Sequence, residues 1–482
     1  MIDTREYVQT LLHVKSGFRL KAGLVKFFTS FFIALAIAFW PEYSGLSSEG
    51  TIGLFILVFA ANLWISEAIP AFAVSFLVIA LAILFLGSHG LDFSHKNKWE
   101  GFLSPWSNPL VFLFLAGFIM AQAAAKTKLD FWFAKKVLFF CGSNPVKILV
   151  GLMAITFGFS MFVSNTATAA MMISVLTPIL ASMDGDNPFK KAILLGVVVG
   201  ANIGGMSTII GTPPNAIAVG ILGEYAPSFL GWMVIAMPPA IIVSFLLGWF
   251  LLWRYPSSQK KIDIASITRV DHFDDSTTDF TPVPTLPSWK KVVVFSGFAL
   301  TILLWLTGPL HHIPVAVVSL LPVVLFTVFG IIDSDDIRLI RWDVIILIIG
   351  GLTLGLVVRQ SGLDEWFGGL IDFKTMSLGL FVAAFCYMVV MISNFMSNTA
   401  ATNIALPLLV ALLASLEPSF MLFAIISVAL CASFAMMLPV STPPNAIIYS
   451  AKILKGRDFL EVGALVGAIG PLIALAWVWM VH

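Results

Sequence analysis

Long apolar runs, each closed by a short polar stretch, recur from about Leu24 to the C-terminal end of the chain. Runs of about 20 residues suit helices that cross a hydrocarbon core about 30 Å thick. The pattern predicts spans at roughly 24–40, 51–67, 70–87, 108–125, 192–223, 228–253, 291–308, 314–332, 343–359, 419–450 and 459–481, about eleven in all. Two apolar stretches, about 148–182 and 377–416, do not fit this scheme. Each is divided by a Ser-Asn-Thr triplet into arms of fewer than about 20 residues, which span poorly. Each is therefore predicted to be a re-entrant helical hairpin with the triplet at its tip. The expected fold class is an all-α polytopic membrane protein with about 11 transmembrane helices plus two re-entrant hairpins.

Composition agrees. Of 482 residues, 59% are hydrophobic and 11% charged, against roughly 45–50% and about 25% in an average soluble domain. A net charge of +1 gives no reason to expect nucleic acid as a partner, and membrane lipids are the expected surroundings. Cys141, Cys386 and Cys431 lie in or beside apolar runs and read as small core hydrophobes. The first residues carry Arg5, Lys15, Arg19 and Lys21 without an apolar run, so the first long run reads as a retained span, not a cleaved signal.

Charge placement orients the layout. With the N-terminus cytoplasmic, only Lys96, Lys98, Arg359 and Lys374 fall outside, and the other 23 of 27 Lys and Arg fall inside, as the positive-inside rule requires. The C-terminus is then outside, and the protein is expected in the cell (inner or plasma) membrane as a multi-pass protein. The segment 254–290, with Pro282, Pro284 and Pro287, reads as a cytoplasmic linker.

The chain also repeats itself. Thr212-Pro213-Pro214-Asn215-Ala216-Ile217 recurs as Thr442-Pro443-Pro444-Asn445-Ala446-Ile447, and each copy follows a Ser-Asn-Thr-Ala block at Ser164 or Ser397. Trp64 to Leu77 echoes Trp305 to Leu321, and Gly117 to Asp130 echoes Gly351 to Asp364. A unit of five spans and one hairpin therefore occurs twice: 1–50 is the N-terminal segment with one extra span, 51–253 the first repeat, 254–290 the linker and 291–482 the second repeat. Five is odd, so the second repeat is expected upside down. One hairpin would enter from the cytoplasm and the other from outside.

The polar blocks offer a particular chemistry. The arm before a tip ends in free carbonyls and the arm after it begins with free N–H groups. Ser, Asn and Thr add neutral oxygens and donors. Proline removes N–H donors and breaks the helix before it, so each Thr-Pro-Pro-Asn adds two further helix ends. No Lys or Arg stands within ten residues of Asn165 or Asn398. An anion there would be held by four helix N-termini, worth at most roughly 8 kcal/mol together, against several kcal/mol to dehydrate each charge. A hard cation bound beside it would tip that balance. No carboxylate stands in the motifs to carry a proton, so Na⁺ is favoured over H⁺ as coupling ion, and no other cofactor is expected.

These residues resemble the divalent anion:sodium symporter family, which carries dicarboxylates, citrate or sulfate. The run Cys431-Ala432-Ser433-Phe434-Ala435-Met436-Met437-Leu438-Pro439-Val440-Ser441-Thr442-Pro443-Pro444-Asn445 is similar to that family's signature, departing at Met436, where an aromatic is usual. The resemblance implies one sodium site from Ser160, Ser164, Asn165 and backbone near Gly211, and another from Ser393, Ser397, Asn398 and backbone near Ser441. It implies a substrate pocket of Asn165, Thr166, Asn398 and Thr399, lined by Thr212-Pro213 and Thr442-Pro443. It further implies a homodimer that moves substrate by an elevator-like shift. No seam of the zipper or GxxxG type stands out as a dimer face.

Other readings compete. A sodium-independent dicarboxylate exchanger, or a sulfate or other divalent-anion transporter, would use the same scaffold. An intramembrane enzyme would need a motif such as HExxH or GxSxG, and neither occurs, so no catalytic residue is expected. A lone Ser-Asn-Thr is usually just a helix N-cap. Glu67 reads as an interfacial structural acid, His311-His312 as loop residues, and the many Phe and Met as core and lipid-facing filler.

Overall fold

The computed structural model describes residues 4–87, 96–263, 287–370, 377–414 and 416–481, and among them the regular structure is entirely helical. All eleven expected spans correspond to helices, but not all to long ones. Among the described residues, eight helices are long and apolar enough to cross a membrane by length and composition. Ala71–Leu86 and Val315–Val328 have only 16 and 14 residues. The expected spans 192–223 and 419–450 are each broken, into Phe189–Gly205 and Pro213–Leu222, and into Pro418–Ala432 and Pro443–Tyr449. The hairpin arms are Pro145–Ser160 and Asn165–Ser182, then Leu378–Ser393 and Asn398–Leu413. Asn165–Ser182, at 18 residues, passes the same length test as the spans, so arm length by itself does not distinguish it from a crossing. Most of the expected linker, residues 264–286, lies outside the described residues.

The duplication carries into backbone detail. Pro70 and Pro314 stand immediately before Ala71–Leu86 and Val315–Val328, with φ of −54° and −56°. Proline there fixes φ at no hydrogen-bonding loss, because the first N–H groups of a helix lack partners anyway. Leu129–Cys141 and Leu363–Leu370 likewise both start after a left-handed residue, Lys128 (φ 53°) and Gly362 (φ 69°).

The chain divides into two compact units. The first comprises Met1–Ser107, Trp342–Thr375 and Asn403–Glu417. Within it, Thr4–Phe39 meets Ser48–Ser66 through the rings of Phe27, Phe31, Phe55 and Phe59. Trp342–Gln360 lies against Ala71–Leu86 so closely that a Cβ at Gly350 would come within 2.7 Å of Ser75 Cα. Lys98 pairs with Glu49 at 3.4 Å and Trp366 Nε1 donates to Ser44 O at 3.1 Å. All four residues belong to ends that the charge layout puts on one face.

The second unit comprises Asn108–Arg341, Met376–Thr402 and Pro418–His482. Here Lys126 pairs with Asp333 at 3.2 Å, Lys191 with Asp458 at 2.9 Å and Arg254 with Glu461 at 2.9 Å. Within this unit, the charge layout puts all of these ends on one face. Outward-facing Phe245, Trp249 and Trp253 are 73%, 67% and 72% exposed on Phe229–Arg254, as expected of a lipid-facing helix with an interfacial aromatic belt. Glu67 is exposed at a helix end with φ 50°. His311 is used structurally: Nδ1 accepts from Ile313 N and Nε2 lies 2.9 Å from Leu304 O. Cys386 and Cys431 are buried, whereas Cys141 is only half-buried.

A small-residue seam joins two helices within the chain: Gly196, Gly200 and Gly204, spaced by four, face the first hairpin arm. A Cβ at Gly200 would lie 2.9 Å from Thr156 Cβ, and one at Gly204 2.8 Å from Phe157 Cα. Lipid gives no hydrophobic drive for helix association, so such close backbone approach supplies the attraction.

Candidate functional site

Both tips and both breaks lie in the second unit. The first tip begins where Pro145–Ser160 ends; Asn144 caps that helix by accepting from Val146 N and Lys147 N. Ser164 caps the following helix, its Oγ accepting from Ala167 N at 3.3 Å. Its repeat counterpart Ser397 does the same for Ala400 N at 3.2 Å. The ordinary capping role of Ser in this triplet is thus real. A capping hydroxyl retains a proton and a lone pair for further use.

Asn165, the first residue of its helix, faces three oxygens. Ser160 Oγ has one proton and gives it to Ala201 O at 2.6 Å. With its amide oxygen inward, Asn165 would accept from Ser160 Oγ at 2.7 Å but oppose the carbonyls of Ala201 and Gly211. With the nitrogen inward it reaches Ser160 Oγ at 2.7 Å, Ala201 O at 3.1 Å and Gly211 O at 3.2 Å. The second orientation satisfies every group. Three predicted residues, Ser160, Asn165 and Gly211, therefore do meet, together with Ala201, which the sequence reading did not name. Gly205 makes room for this amide, since any Cβ there would collide with its end.

The breaks are held by the last residue of Thr-Pro-Pro-Asn. Two prolines cannot donate, and the helix before the break ends in free carbonyls. Asn215 Nδ2 reaches Gly205 O at 3.1 Å, Met206 O at 3.2 Å and Thr208 O at 2.7 Å. Asn445 Nδ2 reaches Met436 O at 3.1 Å and Leu438 O at 2.8 Å. Trp232 Nε1 adds a bond to Met206 O at 3.1 Å. The predicted Thr212 is buried without a side-chain cap bond, whereas Thr442 donates to Asn445 Oδ1 at 2.7 Å. Pro213 is half-buried and Pro443 exposed, and each starts a helix.

Each tip is tied to its own break, by different residues. In the first copy Thr208 Oγ1 donates to Met161 O and accepts from Gly211 N at 3.1 Å. In the second, Asn394 takes over: its Oδ1 accepts from Met437 N at 2.7 Å and from Ser441 Oγ at 3.1 Å. Ser441 thus engages its tip through the hydroxyl, where backbone alone was expected. Ser393 Oγ and Asn398 Oδ1 are buried and have no hydrogen-bond partner. Thr166 and Thr399 are half-buried at the second position of their helices.

The copies also interlock. Asn202, on Phe189–Gly205, donates from Nδ2 to Val198 O at 3.1 Å and to Asn445 Oδ1 at 3.2 Å. The residue matching Asn202 in the second copy is Ala432, and Asn215 Oδ1 accordingly has no partner. Asn202 and Asn394 could have been flagged as lone amides in apolar helices, which are costly unless they have a task. Asn215 and Asn445 could have been found by asking which donor serves a break that two prolines leave without one.

The residues gathered here are neutral. None can act as a nucleophile of the activated kind or as a general acid at neutral pH. What they offer is convergent oxygens beside helix N-termini, suited to holding ions without making bonds.

Comparison with known proteins agrees. Residues 61–427 match the family described as Citrate transporter (CitMHS). An uncharacterized transporter of Haemophilus influenzae is 32% identical over 86% of this chain and 88% of its own length. The sodium-dependent dicarboxylate transporter SdcS of Staphylococcus saprophyticus is 30% identical over 93% of this chain and 89% of its own. Among solved structures, the YdaH transporter of Alcanivorax borkumensis aligns over 90% of this chain and 98% of its own, with a TM-score of 0.53 and 12% identity, a likeness of fold alone. The protein is thus a multi-pass membrane transporter and not an enzyme, and this chain belongs to the CitMHS citrate transporter family and to the divalent anion:sodium symporters that its motifs resemble.

Proposed function

We propose that this protein is a sodium-coupled symporter of small di- or tricarboxylates, C4-dicarboxylates such as succinate foremost, working as a homodimer by elevator-type alternating access. The observation that carries the reading is the meeting of Ser160, Asn165, Ala201 and Gly211 at one point without any ionisable group. A hard cation suits such oxygens, and the name of the staphylococcal relative favours sodium and dicarboxylates. In this reading Ser160, Ser164, Asn165 and Gly211 serve one sodium ion, and Ser393, Ser397, Asn398 and Ser441 the other. Asn165, Thr166, Asn398 and Thr399 meet the carboxylates, and Thr212-Pro213 and Thr442-Pro443 line the pocket. That both tips and both breaks belong to one compact unit suits a carrier that moves its site as a body. The tips enter from opposite faces, with the N-terminus cytoplasmic and the C-terminus outside.

Radiolabelled succinate, citrate and sulfate uptake by purified protein in liposomes, with and without a sodium gradient, tests this. Sodium-driven succinate uptake is expected. Uptake without sodium that requires an internal dicarboxylate would favour the exchanger. Sodium should also tighten succinate binding about 5–150-fold, and succinate should tighten sodium binding by the same factor; calorimetry in choline and sodium buffers measures both.

A further inference from the structure

The two tips come from one duplicated sequence, yet their polar atoms are in different states. In the first, Ser160 Oγ donates to Ala201 O at 2.6 Å, and hydrogen-bond logic turns the Asn165 amide nitrogen inward, where its two N–H groups serve Ser160 Oγ and Gly211 O, so that every group has a partner. In the second, the counterparts of the Ser160 and Asn165 groups, Ser393 Oγ and Asn398 Oδ1, are buried without partners. Ser393 is 0% exposed. The cause lies at two positions. Asn394 stands where the first copy has Met161, and Ser441 where it has Gly211. Asn394 and Ser441 bond to each other and to the second break, through Met437 N and Leu438 N. The second tip is thereby tied to its break without using Asn398, whose side-chain carbonyl is left over.

Building on the sodium reading above, the geometry points to two unequal cation sites: the second tip takes the first sodium ion, and the first tip is held shut by its own asparagine until that amide turns. A buried oxygen without a donor is costly, and an arriving cation removes that cost. At the first tip a cation gains no such relief. It must displace a satisfied N–H donor and rotate the amide so that Oδ1 joins the other three oxygens. The Asn165 nitrogen is in effect a built-in competitor for the first site. Order of loading then follows from side-chain chemistry, although the two triplets are identical in sequence.

The test is equilibrium binding of radiolabelled sodium to purified protein in detergent, without substrate, with a size-exclusion profile for each variant. The wild type should show a tight and a weak class. Ser393→Ala should weaken the tight class on the order of tenfold or more, the size of effect that lost metal-site partners produce. Ser160→Ala should move only the weak class. Asn165→Asp cannot donate and presents two acceptors, so it should tighten the weak class past the wild-type tight one while abolishing succinate transport. Ser393→Thr keeps the hydroxyl and should retain the tight class, which guards against a folding defect in the alanine variant. Loss of the tight class in Ser160→Ala with Ser393→Ala unaffected, or equal losses in both, would overturn the inference and leave the sodium reading intact. Absence of any sodium binding in the wild type would overturn both.

Discussion

At the scale of single residues, the breaks depend on asparagine. Asn445 serves two carbonyls, takes the Thr442 hydroxyl and receives Asn202. Asn445→Ala strands several buried groups at once, each worth about 1–3 kcal/mol when left unpaired. Thermal unfolding in detergent should therefore show a clear loss for Asn445→Ala and a smaller one for Asn202→Ala, which leaves Asn445 its other partners. Equal midpoints for both variants would mean that the clamp does not hold the break. Thr166 and Thr399, by contrast, cap nothing. Replacing either with alanine should raise the apparent substrate constant in uptake assays, with no rescue by added sodium. The capping serines behave differently: Ser164→Ala or Ser397→Ala removes a cap worth about 1 kcal/mol as well as an oxygen, and extra sodium should partly restore transport.

At the scale of elements, the first hairpin arm rests on the glycine stripe of Phe189–Gly205. A Cβ at Gly204 would lie 2.8 Å from Phe157 Cα and 3.0 Å from Phe157 C, atoms that cannot turn aside. Gly204→Ala should cost about 1–3 kcal/mol, as overpacking does. Gly158→Ala provides the control, because a Cβ there meets nothing within 4 Å, and the gain in helix propensity should make it neutral or slightly stabilising. If both variants unfold at the same temperature, the arm does not depend on this contact. The hydrophobic pattern located the helices well because burial in lipid makes nearly every spanning residue apolar. It did not reveal where helices stop short, as at Val328, or which helix pairs touch by glycine, because neither changes the local polarity.

At the scale of the whole molecule, helix ends that the charge layout assigns to the same face carry ion pairs: Lys126 with Asp333, Lys191 with Asp458, Lys98 with Glu49. Absolute sidedness rests on the positive-inside rule. In a cysteine-free background, a cysteine at Asp184 should be labelled only from the cytoplasm and one at Glu417 only from outside, using an impermeant maleimide on intact cells. Labelling of both from the same side would rule out hairpins that enter from opposite faces.

Sequence alone determined the class, the helical content and the duplicated motifs, while Ser160, Asn165 and Gly211, which meet in the folded chain, were named together only through the family resemblance. It could do so because transmembrane helices are read from local polarity and repeats from spacing, both properties of the chain taken in order. Only tertiary structure decided that Asn215 and Asn445 close the breaks, that Asn202 joins one copy to the other, and that Asn165 is satisfied while Asn398 is not. Those outcomes depend on which carbonyls happen to lie within about 3 Å of a given amide. Identical triplets carry no record of that, because the difference is made by Asn394 and Ser441, whose influence arrives through space.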